Sequence, residues 1–168
     1  MSRISISLLC LLLSGLATAQ TCNPNIRATA PDGRFQDNAD GTVTDLANGL
    51  IWRRCEEGRF GENCGRGASH LFTWREALLR AQASTFAGYD DWRVPNLKEL
   101  QSLVELRCAA PAINVTHFPN TSRADFWSSS PSAYAPGRYG WFVDFASGDY
   151  DDDSREFHLS LRLVRGGS

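Results

Sequence analysis

The run Ala87-Gly88-Tyr89-Asp90-Asp91-Trp92-Arg93-Val94-Pro95-Asn96-Leu97-Lys98-Glu99-Leu100 holds a connection and the start of a helix. Pro95 disfavours helical geometry at Val94, so residues 90–95 read as a link. Asn96 then stands as an N-cap, with Glu99 three residues on to return the hydrogen bond. Leu97, Leu100, Leu103 and Val104 fall on one face of the helix this opens. Upstream, Thr73-Trp74-Arg75-Glu76 is a second capping box, and Trp74, Ala77, Leu78 and Ala81 keep helical spacing. That helix should end near Phe86, before Ala87-Gly88. Further upstream, Asn48-Gly49 separates Thr42-Val43-Thr44 from Leu50-Ile51-Trp52, which predicts a hairpin. Downstream, residues 108–125 read as a long loop. Phe126–Ser130 and Gly140–Phe145 are strand candidates, and Phe157, Leu159, Leu161 and Leu163 alternate with polar residues. Hairpin, two helices, loop, then strands make an α+β order with an antiparallel sheet.

The chain has 168 residues, 42% of them hydrophobic and 21% charged. That is globular composition, which excludes a collagenous or wholly disordered chain. The length suits one domain. A net charge of −2 argues against a nucleic-acid binder. Met1-Ser2-Arg3, the apolar run 4–16 and Ala17-Thr18-Ala19 form the three parts of a secretory signal peptide. The run is too short to span a bilayer comfortably. The expected organisation is a signal peptide over 1–19, an irregular lead-in over 20–34 and one domain over 35–168. Such a protein is secreted or periplasmic.

Cleavage removes Cys10 and leaves Cys22, Cys55, Cys64 and Cys108. An even count in an exported chain implies two disulfides, with three pairings open. Cys55 and Cys64 bracket a polar, Gly-containing loop, so a local bridge is the natural expectation, with Cys22 then joined to Cys108. The spacings do not suit zinc.

The three histidines, His70, His117 and His158, form no H-x-x-x-H pair, and no G-x-S-x-G is present, so no enzyme class is indicated. Ser128-Ser129-Ser130 reads as strand, not nucleophile. Asp149, Asp151, Asp152 and Asp153 could ligate calcium, a hard cation that takes several oxygens; the alternative is a solvated hairpin tip. Asp37, Asn38, Asp40 and Asp45 raise the same question, but Asp40-Gly41 is a turn signal. No other cofactor is expected. Trp52, Trp74, Trp92, Trp127 and Trp141 read as core. Tyr134, Arg138, Tyr139, Tyr150 and Arg155 sit in turn-rich polar segments and are the candidate ligand-binding residues, since rings stack on sugars and guanidinium forks hold oxyanions. Asn114-Val115-Thr116 matches a glycosylation sequon.

Several blocks in order resemble a known family: Phe35–Asn38, Asp40–Asp45 and Gly49–Trp52; Thr73–Leu78; Ala87–Leu100; Pro111–Asn114 and Phe118–Thr121; Phe126–Ser129; Val143–Phe145; Arg162–Gly167. The set resembles the Lcl C-terminal domain family, named for the end of a collagen-like bacterial adhesin, over roughly residues 35–167. The resemblance implies a bacterial source and a C-type-lectin-like fold. It also implies an adhesin-like ligand, for which sulfated glycosaminoglycan is the family precedent, and a homo-oligomer, since the adhesin forms trimers. Three departures stand out. No Gly-X-Y tract occurs in these residues. The calcium-and-sugar motifs of animal C-type lectins are absent, with Val94-Pro95-Asn96 a partial echo. No cysteine follows Cys108, so the copper pair of the related formylglycine-generating enzymes is missing.

The expectation is therefore a non-enzymatic binding module that recognises a glycan or another surface ligand. A protein partner or a structural envelope role is the alternative. The Asp149–Asp153 stretch would oppose a polyanion.

Overall fold

A computed structural model describes residues 19–134 and 137–167. The expected signal peptide, Cys10 included, lies outside the described residues, apart from Ala19. The strands are β1 (Thr21–Cys22), β2 (Phe35–Asp37), β3 (Thr42–Asp45), β4 (Ile51–Arg53), β5 (Arg59–Phe60), β6 (Arg66–Gly67), β7 (Cys108–Ala109), β8 (Asp125–Pro131), β9 (Tyr139–Asp144), β10 (Tyr150–Ser154) and β11 (Val164–Arg165). The helices are α1 (Trp74–Gln82) and α2 (Leu97–Gln101). The sheets run β11-β4-β3-β2, β10-β9-β8, β1-β7 and β5-β6, and every strand pairing is antiparallel. Over the described residues the fold is α+β, with two α-helices, antiparallel sheets and two disulfides, Cys22–Cys108 and Cys55–Cys64.

Both capping boxes form. Thr73 accepts from the Glu76 N–H and Asn96 from the Glu99 N–H, and each glutamate returns a bond to its cap. These reciprocal bonds satisfy amides that a helix start otherwise leaves open. The first helix stops at Gln82, four residues short of expectation. Ala83 closes it, and a separate 3-10 turn over Phe86–Gly88 follows, with Ala87 in the left-handed region at φ 53°. The hairpin is present, but its turn is wider than Asn48-Gly49. Asp45 pairs with Leu50, and its carbonyl accepts from the Asn48 and Gly49 amides. The lead-in is less irregular than expected. It carries β1, tied to β7 by the Cys22–Cys108 bridge, and Glu105 accepts from the Thr29 and Ala30 amides.

The β8–β10 sheet divides the core. Phe126 and Val143 face each other and pack with Val43, Trp52, Leu100 and Phe118. Trp127 and Phe142, one residue along, point the other way, toward Ala77, Ala81, Trp92 and Leu163. Strand alternation thus feeds both sides. Trp52, Trp92 and Trp127 are core residues as expected, while Trp74 and Trp141 are only half-buried.

The expected alternation over 157–163 does not hold. Phe157 is exposed, and Ser160, Leu161, Arg162, Leu163 and Val164 are all buried. The segment threads through the molecule, not along its surface. Its backbone bonds to Phe72, Trp127, Glu57, Arg53 and Arg93. Both faces are therefore covered, and a period of two cannot show.

Candidate functional site

Strand geometry assembles a row of rings. On β9, Tyr139 and Trp141 share the face of Val143. The β10 register sets Tyr150 opposite Val143, Asp152 opposite Trp141 and Ser154 opposite Tyr139. Trp141 and Tyr150 lie with ring centroids 6.0 Å apart. Tyr134 stacks on Tyr139 at 6.3 Å and 10°. Val143 is fully covered, but the face opens beyond it. Tyr139 and Trp141 are half-buried, Tyr150 is 54% exposed and Tyr134 is 85% exposed. Four rings therefore line one side of the β8–β10 sheet.

Asp152 adds a polar group to the row. Its Oδ2 is buried and has no hydrogen-bond partner among the described residues. A buried carboxylate oxygen left unpaired carries a desolvation cost that a ligand hydroxyl or amide would remove.

Of the five residues expected to bind ligand, Tyr134, Arg138 and Tyr139 gather at one end of the β8–β9 hairpin, with Arg138 exposed. Tyr150 stands four register positions away and joins them only through Trp141, which the sequence reading placed in the core. The signal for Trp141 was present: it shares the parity of Tyr139 along β9. Arg155 is engaged elsewhere. Its guanidinium lies 3.9 Å from the Trp74 ring centroid, and it donates to the carbonyls of Tyr139 at 3.0 Å and Gly137 at 3.4 Å. Trp74 in turn donates from Nε1 to the Ser128 carbonyl at 2.8 Å. Arg155 thus positions the tip that bears Tyr139.

Of the acidic stretch only Asp149 lies in the hairpin turn; Asp151, Asp152 and Asp153 do not. The turn lies over Phe145–Asp149, closed by Asp144 N–H on Asp149 O, and residues 150–154 form β10. Alternation sends Asp151 and Asp153 to one face and Asp152 to the other. Asp151 and Asp153 accept from the next residue's amide. Among the described residues, no group of three or more His, Cys, Asp and Glu side chains is placed to hold a metal ion. The Asp37–Asp45 group is likewise committed: Asp37 to Arg54 and Ala39 N–H, Asp40 to Thr42, Asp45 to Arg34 and Ala47 N–H. The Asn114 sequon is sterically closed. Asn114 is buried, and its amide nitrogen donates to Ala30 O and Asp32 Oδ1. No helix among the described residues is long and apolar enough to cross a membrane.

No curated protein matches the chain. The profile of one family, described as the Lcl C-terminal domain, matches residues 41–165, which runs from the β3 strand through β11 and takes in both capped helices and the whole aromatic row. The ordered blocks noted in the sequence fall almost entirely within that span, and the chain belongs to the Lcl C-terminal domain family.

Proposed function

We propose that the chain is an exported, non-enzymatic binding module that takes a glycan on the β9–β10 face. The observation that carries this reading is the pairing of exposed rings with the unpaired Asp152 Oδ2. Sugars offer apolar C–H faces to aromatic rings and hydroxyl donors to carboxylates, and this face supplies both. Trp141 and Tyr150 form the platform, Asp152 accepts a hydroxyl, and Tyr134 with Tyr139 extends the surface by a further sugar unit. Arg138 contributes an exposed cation at the end of the row. Asp151, Asp152 and Asp153 on the edge strand disfavour a densely sulfated chain, so a neutral glycan suits this member better than the polyanion that family precedent implies. Two disulfides suit an oxidising compartment outside the cytoplasm.

The test is a glycan array probed with residues 20–168 made in an oxidising compartment, with calcium and with chelator. Saturable binding that Trp141→Ala or Asp152→Asn weakens tenfold or more, in folded protein, supports the reading. Loss in chelator would bring a metal to the acidic strand. Silence across the array from folded protein would reject the glycan and leave a protein partner as the ligand.

A further inference from the structure

A second site lies beneath the Cys55–Cys64 loop and shares no lining residue with the aromatic row. It is a cavity of about 500 Å³, within the size range of small-molecule sites. Phe60, Phe86 and Cys55 give it apolar walls, and Arg53, Arg54 and Arg59 give it cations. Phe86 sits close to bare backbone: a Cβ on Gly41 would fall 2.8 Å from its ring, and Gly41 holds φ +84°. The Arg53 guanidinium rests on the Phe86 ring at 4.4 Å.

The arginines are only partly neutralised. Glu57 serves both Arg53 and Arg80. Arg54 meets Asp37 at 2.5 Å. Arg59 meets Glu56 at 2.8 Å, but Glu56 also accepts from the Ser122 amide and hydroxyl. The lining carboxylates are Asp37, already held by Arg54, and the exposed Glu62. Arg53 Nε and Arg54 Nε remain buried with no acceptor among the described residues. Burial, and then Arg80 nearby, pull the Arg53 pKa down to about 10.

We propose that this cavity binds a small organic carboxylate with a flat apolar body. The carboxylate oxygens accept from Arg53 and Arg54, and the body lies against Phe60 and Phe86. A single negative charge fits. Arg54 already has one carboxylate and Arg53 shares another, so a dianion such as phosphate would bring excess charge into largely apolar walls.

The test uses 2-naphthoate as the probe, with 2-naphthamide and inorganic phosphate beside it, on the intact disulfide-bonded protein. Binding is read by calorimetry and by the arginine Nε–H NMR signals, which need no variant. The expected result is saturable naphthoate binding that shifts the Arg53 and Arg54 signals, tenfold or weaker binding of the amide, and none of phosphate. Arg54→Lys keeps the charge beside Asp37 and removes the Nε–H, so it should weaken naphthoate about tenfold. Equal affinity for acid and amide, an unaffected Arg54→Lys, or shifts confined to the Tyr134–Tyr150 row would each overturn the proposal. So would the absence of any binding.

Discussion

Arg162→Met tests the central argument about the threaded C-terminal segment. Arg162 is fully buried. Its Nη1 donates to the carbonyls of Arg53, at 3.0 Å, and Arg54, and its Nη2 donates to Thr121 Oγ1 at 2.7 Å. Phe118 and Phe126 stand at 5.0 and 6.0 Å from the guanidinium. Burial first, offset by Glu56 and aided by Arg53, takes its pKa down to about 10, so the group is charged at neutral pH despite its surroundings. Methionine fills much of the same space but donates nothing. Three acceptors lose a donor, and each dry acceptor costs ~1–3 kcal/mol. The guanidinium no longer has to be stripped of water, which returns part of that sum. The net loss is ~2–4 kcal/mol. With a urea slope of ~2 kcal/mol/M, the midpoint falls by ~1–2 M at constant slope. Arg162→Lys should recover less than half, because a single ammonium nitrogen cannot stand at both the Nη1 and Nη2 positions from which the three acceptors are reached. A midpoint shift of the methionine variant below ~0.3 M, with unchanged slope, would refute the claim that this guanidinium ties the end of β4 to the C-terminal segment.

Loop length separates the two disulfides. Cys22–Cys108 spans 86 positions and Cys55–Cys64 spans 9, so the paired serine variants should lose ~4.6 and ~2.7 kcal/mol in chemical denaturation; the reverse order would show that native contacts of the lead-in outweigh chain entropy. Burial, then the Asp144 carboxylate directly across the ladder, hold the Asp125 carboxyl above its ordinary value. The folded state therefore keeps this proton longer than the unfolded chain, and stability falls as pH rises through that raised value. Asp125→Asn should add ~0.2–1 kcal/mol at pH 7, the size of a cross-strand pair, and the gain should vanish well below pH 3.8 in thermal melts run across pH. Gly140→Ala would set a methyl 2.7 Å from Trp74 Cδ1, displacing the indole from Ser128 and Arg155; a loss of ~1–3 kcal/mol with altered tryptophan fluorescence is expected, and an unchanged spectrum would count against the close packing.

What could be read from the sequence was what local chemistry dictates. Thr73 with Glu76, and Asn96 with Glu99, declare helix starts within four residues, and both formed. The hairpin at Asn48-Gly49 was equally local, though the Asp45 carbonyl widened its turn. The threaded segment was not legible, because the partners of Arg162 lie 109, 108 and 41 residues away. The aromatic row was half legible. Tyr134, Tyr139 and Tyr150 stood out by their polar neighbours, but Trp141 looked like core until β10 proved to be an edge strand that leaves it half covered. The cavity under the Cys55–Cys64 loop carried no sequence signal, since Phe86 reaches it from beyond α1.

The placement of β11 also governs when the molecule can fold. Its partner β4 lies more than a hundred positions earlier, and residues 159–164 supply one wall of both halves of the core. A growing chain therefore exposes β2, β3, β4, α1 and α2 long before the segment that covers them is synthesised. Local turns and capped helices can flicker during that interval, but the central packing has no closing piece until Val164 emerges. The core therefore closes only when the last residues of the domain join the first, so the contacts that complete the fold are among the longest-range in the chain.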